Sequence, residues 1–268
     1  MSEPKAQKLP KYLVFDFDGT VMIRGVVAPE TIRAMQKAQE AGCRMILNTG
    51  RSRGFFEGKV DDRCPINWDA KLYGMSDVIV GDTTLQQKTL TMRDMMPWFR
   101  YCKEKRLAFY TEGVNDATCF AFDKEPEKIT FRRWRALCRE LKKSITYNPP
   151  TKLTIRGSGD CSDHPHGGRM QFLQQKNYCE VTPPGRDKGT VLLDFCRLTG
   201  AEITECCCFG DSVNDEAMFR VCPLRICMKD APPSLAALSD FCAKSENNGV
   251  AEGIRWLFER AGIPFDEE

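Results

Sequence analysis

Tyr12-Leu13-Val14-Phe15-Asp16-Phe17-Asp18-Gly19-Thr20 runs from an apolar segment straight into two carboxylates one residue apart, with a glycine and a threonine behind them. It reads as a buried strand delivering acids to its carboxyl end, the edge at which open α/β sheets hold ligands. Where a strand stops, the backbone changes conformation between Asp16 and Asp18, so the two acids can divide labour. One can serve as nucleophile or metal ligand and the other as general acid or base. The same residues also fit an ordinary strand end followed by an Asp-Gly turn. The rest of the chain decides between these readings.

The surrounding composition narrows the classes. A chain of 268 residues has room for a substantial core and for two domains, or one domain with a large insertion. Its 42% hydrophobic and 28% charged residues are ordinary for a globular protein. Lys and Arg number 39 against 37 Asp and Glu, a formal net charge of +2, so no global field recruits nucleic acid or an anionic membrane. The polar start of the chain has no apolar leader, and no stretch approaches the ~20 apolar residues of a membrane-spanning helix. The expected setting is cytoplasmic, as a monomer or weak dimer. The 14 cysteines lie in apolar-periodic segments without a Cys-x-x-Cys pair, and they read as reduced, small core residues.

Outward from the first strand, Val21 to Val27 with Gly25 near its middle suggests a flap or hairpin beside the acids. Pro29 and Glu30 open a helix whose inner stripe is Ile32, Met35, Ala38 and Ala41, and Gly42 closes it. Cys43 to Leu47 is a second strand, ending Asn48-Thr49-Gly50-Arg51. A right-handed crossover sets Thr49 beside Asp16, where its hydroxyl and the Gly50 amide suit a phosphate oxygen. Asp77 to Val80 reads as a third strand, ending at Gly81-Asp82.

From there the character changes. Strand-like pieces at Leu107–Thr111, Thr118–Phe122 and Lys152–Ile155 mix with a helix from Phe131 to Lys143, whose inner face is Phe131, Trp134, Leu137, Cys138 and Leu141. The opposite face, Arg132, Arg133, Arg135, Arg139, Lys142 and Lys143, reads as a solvated surface balanced by acids elsewhere. The loop from Gly157 to Gly168 holds both histidines, His164 and His166. It lacks the ligand spacing of a metal site and is a candidate for reaching a substrate's leaving group.

Pro183-Pro184-Gly185 reads as a hinge. Beyond it a helix opens at Lys188, with Val191, Leu192, Phe195 and Leu198 as its stripe and Gly200 as its stop, so Lys188 stands at the amino end that attracts anions. The strand Glu205 to Phe209 then delivers a second acidic set, Gly210-Asp211-Ser212-Val213-Asn214-Asp215. Asp211 and Asp215 can join Asp16 in an all-oxygen site for a hard cation. Further alternation at Leu224–Met228, Ser234–Leu238, Phe241–Ala243 and Ile254–Phe258 completes an α/β sheet.

Asp16 to Thr20, Thr49 to Arg51, Lys188-Gly189 and Gly210 to Asp215 resemble, in order, the four motifs of the haloacid dehalogenase (HAD) superfamily, in the wording of its Cof-type phosphatases. Met228-Lys229-Asp230-Ala231 and Asn248-Gly249-Val250 are similar too. Val80-Gly81-Asp82-Thr83 departs from the family's usual Asn-Gly-Ala turn. The resemblance implies a Rossmann-like parallel-sheet core from residues 1–82 and 184–268, with an inserted α+β cap at 83–183. It implies a Mg²⁺-dependent phosphatase acting on small phosphomonoesters, sugar phosphates first, through an aspartyl-phosphate.

In that reading Asp16 is the nucleophile and Asp18 the general acid and base. Mg²⁺ is held by Asp16, the Asp18 carbonyl and Asp211. The Phe17 and Gly50 backbone, Thr49, Lys188 and Asn214 hold the phosphoryl oxygens, and Asp215 orients Lys188 or a water on the metal. The cap excludes bulk water and selects the leaving group. A dehalogenase would need neither Asp18 nor a metal. A phosphomutase resembling phosphomannomutases could use the same four motifs, whereas a non-catalytic binding module would be expected to lack a motif carboxylate, and none is missing.

Overall fold

The computed structural model describes residues 8–60, 63–157, 163, 170–174 and 177–265. Its elements in chain order are β1 (Tyr12–Phe15), α1 (Pro29–Glu40), β2 (Arg44–Thr49), α2 (Arg53–Phe56), β3 (Ala70–Tyr73), β4 (Asp77–Val80), β5 (Thr83–Gln86) and α3 (Met92–Lys105). There follow β6 (Ala108–Gly113), β7 (Ala117–Ala121), α4 (Phe131–Tyr147), β8 (Pro150–Arg156), β9 (Gln171–Gln174) and β10 (Tyr178–Thr182). The chain continues with α5 (Lys188–Thr199), β11 (Cys206–Gly210), α6 (Glu216–Val221), β12 (Leu224–Cys227), α7 (Pro233–Ala236), β13 (Phe241–Cys242) and α8 (Gly249–Ala261). Among the described residues no helix is long and apolar enough to cross a membrane.

Two compact units emerge. The first comprises Met1–Gly50, Val60–Leu85 and Asp187–Glu268, and the second Arg51–Lys59 and Gln86–Arg186. In the first, eight strands form one sheet in the order β13-β12-β11-β1-β2-β3-β4-β5. β1 lies at its centre, parallel to β2 on one side and β11 on the other, with Phe15 level with both Leu47 and Phe209. The apolar run Leu13-Val14-Phe15 is at most 1% exposed, as a strand covered on both faces requires. On one face Tyr12, Val14, Ile46, Leu72 and Cys208 pack against Val191, Leu192 and Phe195 of α5; α1 packs against α8.

Several sequence expectations shift here. Asp77–Val80 is the fourth strand, antiparallel to β3, which the sequence reading passes over. β3 is only four residues long, too short for its period to register. The buried stripe of α1 is Thr31, Ala34, Met35 and Ala38, whereas Ala41 has left the helix and is exposed. The flap is a narrow turn: Ile23 and Val26 exchange backbone hydrogen bonds of 2.9 and 3.0 Å.

In the second unit a five-stranded antiparallel sheet runs β7-β6-β8-β10-β9. α3 and α4 lay Met95, Trp98, Phe99, Leu137 and Leu141 on one face, against Phe109, Leu153, Ile155 and Val181. Phe131, expected on the inner face of α4, is 74% exposed, because it is the first helical residue and its ring lies under the Arg135 guanidinium instead. Arg133 is not a free surface cation but pairs with Glu125 and Glu140.

Candidate active site

Three strand ends converge in the first unit. At β1 the backbone N–H of Asp16 still donates to Phe209 O at 3.0 Å, so Asp16 is held level with the start of the β11 loop and is 4% exposed. The chain turns at Gly19, whose φ of +88° disfavours any side chain, and a Cβ there would sit 2.2 Å from Asp211 Oδ2. That glycine therefore does two jobs, turning the chain and letting it close onto the acid of the last motif. Thr20 Oγ1 donates to the other oxygen of Asp211 at 3.2 Å.

The loop after β11 is braced by Asp215. Its Oδ2 accepts the backbone N–H groups of Asp211 and Ser212, both at 3.0 Å. Gly210 leaves room for it, since an added Cβ would meet Asp215 Cβ at 2.7 Å. Asp215 Oδ1 accepts from Lys188 Nζ at 2.6 Å, and the same amine donates to Asp16 Oδ1. Lys188 opens α5, where Asp187 caps the helix by accepting from Thr190 N at 2.7 Å. The amine is fully buried and clamped between two carboxylates.

Charge and burial set the protonation tendencies. Burial, with Asp215 and Asp211 nearby, pushes the Asp16 carboxyl well above the usual carboxylate range, although Lys188 pulls the other way. Burial and then Asp215 raise Asp211 as well. For Lys188 burial favours the neutral amine, but Asp16 and Asp215 together outweigh it and hold the group cationic.

The residues singled out in the sequence come together in large part. Thr49 ends β2 and is 1% exposed, Phe17 is fully buried, and Asp18 is partly exposed. Asn214 Nδ2 lies 3.8 Å from where a Cβ on Gly50 would be, so the two proposed phosphate contacts adjoin. Asp16, Asp211 and Asp215 present carboxylate oxygens within 4.8 Å of one another, the grouping that could hold a metal among the described residues. The Asp18 carboxylate is not part of that group.

These donors fit Mg²⁺. They are all hard oxygens, and burial and then neighbouring carboxylates disfavour the charged forms of Asp16 and Asp211, which a cation would stabilise. Asp215 spends its oxygens on Lys188 and two N–H groups, so Asp16 and Asp211 are the carboxylates of this set that would hold a metal. His164 and His166 lie outside the described residues. Two participants escaped the sequence reading. Thr20 stands in the first motif without a contact of its own in the sequence reading, and Asn48, whose side chain donates to Lys188 O, stands there only as the start of the strand-end turn.

Comparison with known proteins agrees with this geometry. The chain belongs to the haloacid dehalogenase-like hydrolases, matching that family over residues 13–254. It is similar to the 5-amino-6-(5-phospho-D-ribitylamino)uracil phosphatase YwtE of Bacillus subtilis, 26% identical over 92% of this chain and 98% of the relative. It is also similar to a phosphoglycolate phosphatase of Methanoculleus marisnigri, 24% identical over 93% and 99%. Among solved structures, the HAD subclass IIB sugar phosphatase BT4131 shares the fold with a TM-score of 0.75, 17% identity and coverage of 93% and 99%. BT1666 from Bacteroides thetaiotaomicron does so with a TM-score of 0.77, 16% identity and coverage of 96% and 98%. Family, relatives and site agree on the enzyme class: the chain is a HAD-type phosphatase.

Proposed function

We propose that the protein hydrolyses small phosphomonoesters through a covalent phosphoryl group on Asp16, and that it uses Mg²⁺ to do so. The observation that carries this reading is the buried Lys188 amine clamped between Asp16 and Asp215 at the carboxyl edge of the parallel sheet. An amine there would neutralise a phosphoryl oxygen as the Asp16 carboxylate approaches phosphorus. Asp16 attacks phosphorus, the bond to the ester oxygen breaks, and Asp18 gives that oxygen its proton. Asp18 then takes a proton from water, whose oxygen attacks the same phosphorus and returns Asp16 as a free carboxylate. Thr49, Asn214 and the backbone N–H groups near Phe17 and Gly50 hold the phosphoryl oxygens. Mg²⁺ on Asp16, Asp211 and the Asp18 carbonyl would supply the positive charge that lets one anion approach another.

The leaving group we propose is a polyhydroxylated one, a sugar or sugar alcohol. The fold shared with a sugar phosphatase and the similarity to a phosphatase of a phosphoribityl compound support this. Selection among leaving groups is assigned to the inserted unit. A phosphate-release screen tests the reading, over sugar and sugar-alcohol phosphates, nucleotides, pyridoxal phosphate and flavin mononucleotide, with Mg²⁺ and with excess chelator. Metal-dependent release favouring the sugar series is expected. Isomer formation without net phosphate release would mark a mutase instead.

A further inference from the structure

β2 carries a buried amide where apolar residues would otherwise be expected. Met45, Ile46 and Leu47 are fully buried, and so is Asn48. Its Nδ2 donates to the Lys188 carbonyl oxygen at 3.0 Å and lies 3.4 Å from Met218 Sδ. Its Oδ1 is buried without a hydrogen-bond partner. The amide's orientation follows from its neighbours, because a rotated group would set its oxygen against a carbonyl and a thioether, both acceptors. A leucine would fill nearly the same space without stranding a polar atom. What accounts for the amide is therefore its N–H, and that N–H goes to Lys188.

The backbone of Lys188 needs such an anchor. The first turn of α5 is fixed by Asp187 as its cap and by Gly189, where a Cβ would lie 2.3 Å from Ala217 O. Those restraints bind α5 to its own start and to α6. The Asn48 hydrogen bond ties the Lys188 main chain to β2, the strand that ends in Thr49 one residue later. The amide thus bridges the elements that carry two of the groups assigned to the phosphoryl oxygens, the Thr49 hydroxyl on β2 and the Lys188 amine on α5.

We propose that Asn48 is a positioning residue: it locks the Lys188 backbone to the end of β2, so that the lysine amine and the Thr49 hydroxyl keep a fixed separation. The idea rests on the phosphatase reading for its kinetic consequence, but the tether itself does not. Asn48→Leu should melt at the parent's temperature or above, since it also removes the stranded oxygen. Its kcat should fall about 10- to 100-fold, as a small misplacement of a catalytic group does, with KM changed by less than about threefold. Asn48→Asp keeps the size but turns an acceptor toward the Lys188 carbonyl, and it should lose at least as much kcat. Asn48→Ser, which can still donate, should recover part of it.

The readout independent of turnover is hydrogen exchange at the amides of Thr190 to Leu192, which should quicken in Asn48→Leu while the rest of α5 is unchanged. Unchanged exchange in that first turn would overturn the tether, whatever the enzyme does. Quickened exchange with parental kcat, or a kcat loss that only tracks loss of folded protein, would overturn the positioning role. Failure of the parent to release phosphate from any ester would instead strike the phosphatase reading, and the exchange measurement would still decide the tether.

Discussion

The molecule buries the same charge pattern twice. In the first unit Lys188 is clamped by Asp16 and Asp215; in the second, Lys152 lies 2.7 Å from Glu180 and 3.4 Å from Glu112. Both amines are fully or nearly hidden, and both are held cationic because flanking carboxylates outweigh the burial that would neutralise them. Their settings differ. Glu112, Lys152 and Glu180 project from β6, β8 and β10, neighbours in one antiparallel sheet, and Thr154 on β8 donates to Glu112. Asp16, Lys188 and Asp215 come from a strand end, a helix start and a loop. The second trio is boxed in by neighbouring strands of one sheet, whereas the first stands where strands end and a helix starts, beside glycines and a third carboxylate, Asp211. Ionic burial alone does not make an active site; its position relative to the ends of the elements does.

The largest expected effect separates the trios by chemistry. Asp16→Asn should lower phosphate release to below about 1% of the parent while the protein stays folded, because the nucleophile goes and the size is kept. Retained turnover, once deamidation is excluded by mass, would mean that the first trio is as structural as the second. Next comes the cation: excess chelator should silence the parent and added Mg²⁺ should restore it. Full activity in chelator would take Asp211 out of its assigned role.

How far the sequence already disclosed this difference depends on what each trio is made of. Asp16, Asp18, Thr49, Lys188, Asp211 and Asp215 stand at the ends of apolar runs, in short motifs whose order can be read along the chain. The Lys152 trio has no such signature. Its partners are brought opposite by antiparallel register, such as Glu112 against Lys152, and register is set by turns and bulges that a single sequence leaves open. Gly19 was legible as a turn but not as the gap that admits Asp211. α3 was missed although Thr91 and Asp94 form a capping box at its start, because Pro97 inside it reads as a break. The expected role for His164 and His166 rests on their sharing one loop, and both lie outside the described residues.

Smaller effects sharpen the contrast. Lys188→Met should lower kcat by about 10²- to 10³-fold, the scale for loss of one preorganised group facing developing charge. A loss no greater than that of a surface lysine variant would contradict the clamp's part in the reaction. Lys152→Met should appear as lost stability of about 3–5 kcal/mol, since it strands two buried carboxylates, and denaturant melts would register it. Replacing all three partners together, Glu112→Leu, Lys152→Met and Glu180→Leu, should return most of that stability. If the triple variant is no more stable than Lys152→Met, the ions of the second trio are not the source of the loss.

The covalent claim itself is open to direct observation. Mixing the parent with Mg²⁺ and its best ester, quenching in acid within one turnover and mapping peptides by mass should find a phosphoryl group on the Asp16 carboxylate, released by hydroxylamine and missing from Asp16→Asn. Phosphate release at the parent's full rate with no phosphoryl group ever trapped on Asp16, and a comparable rate in Asp16→Asn, would contradict it.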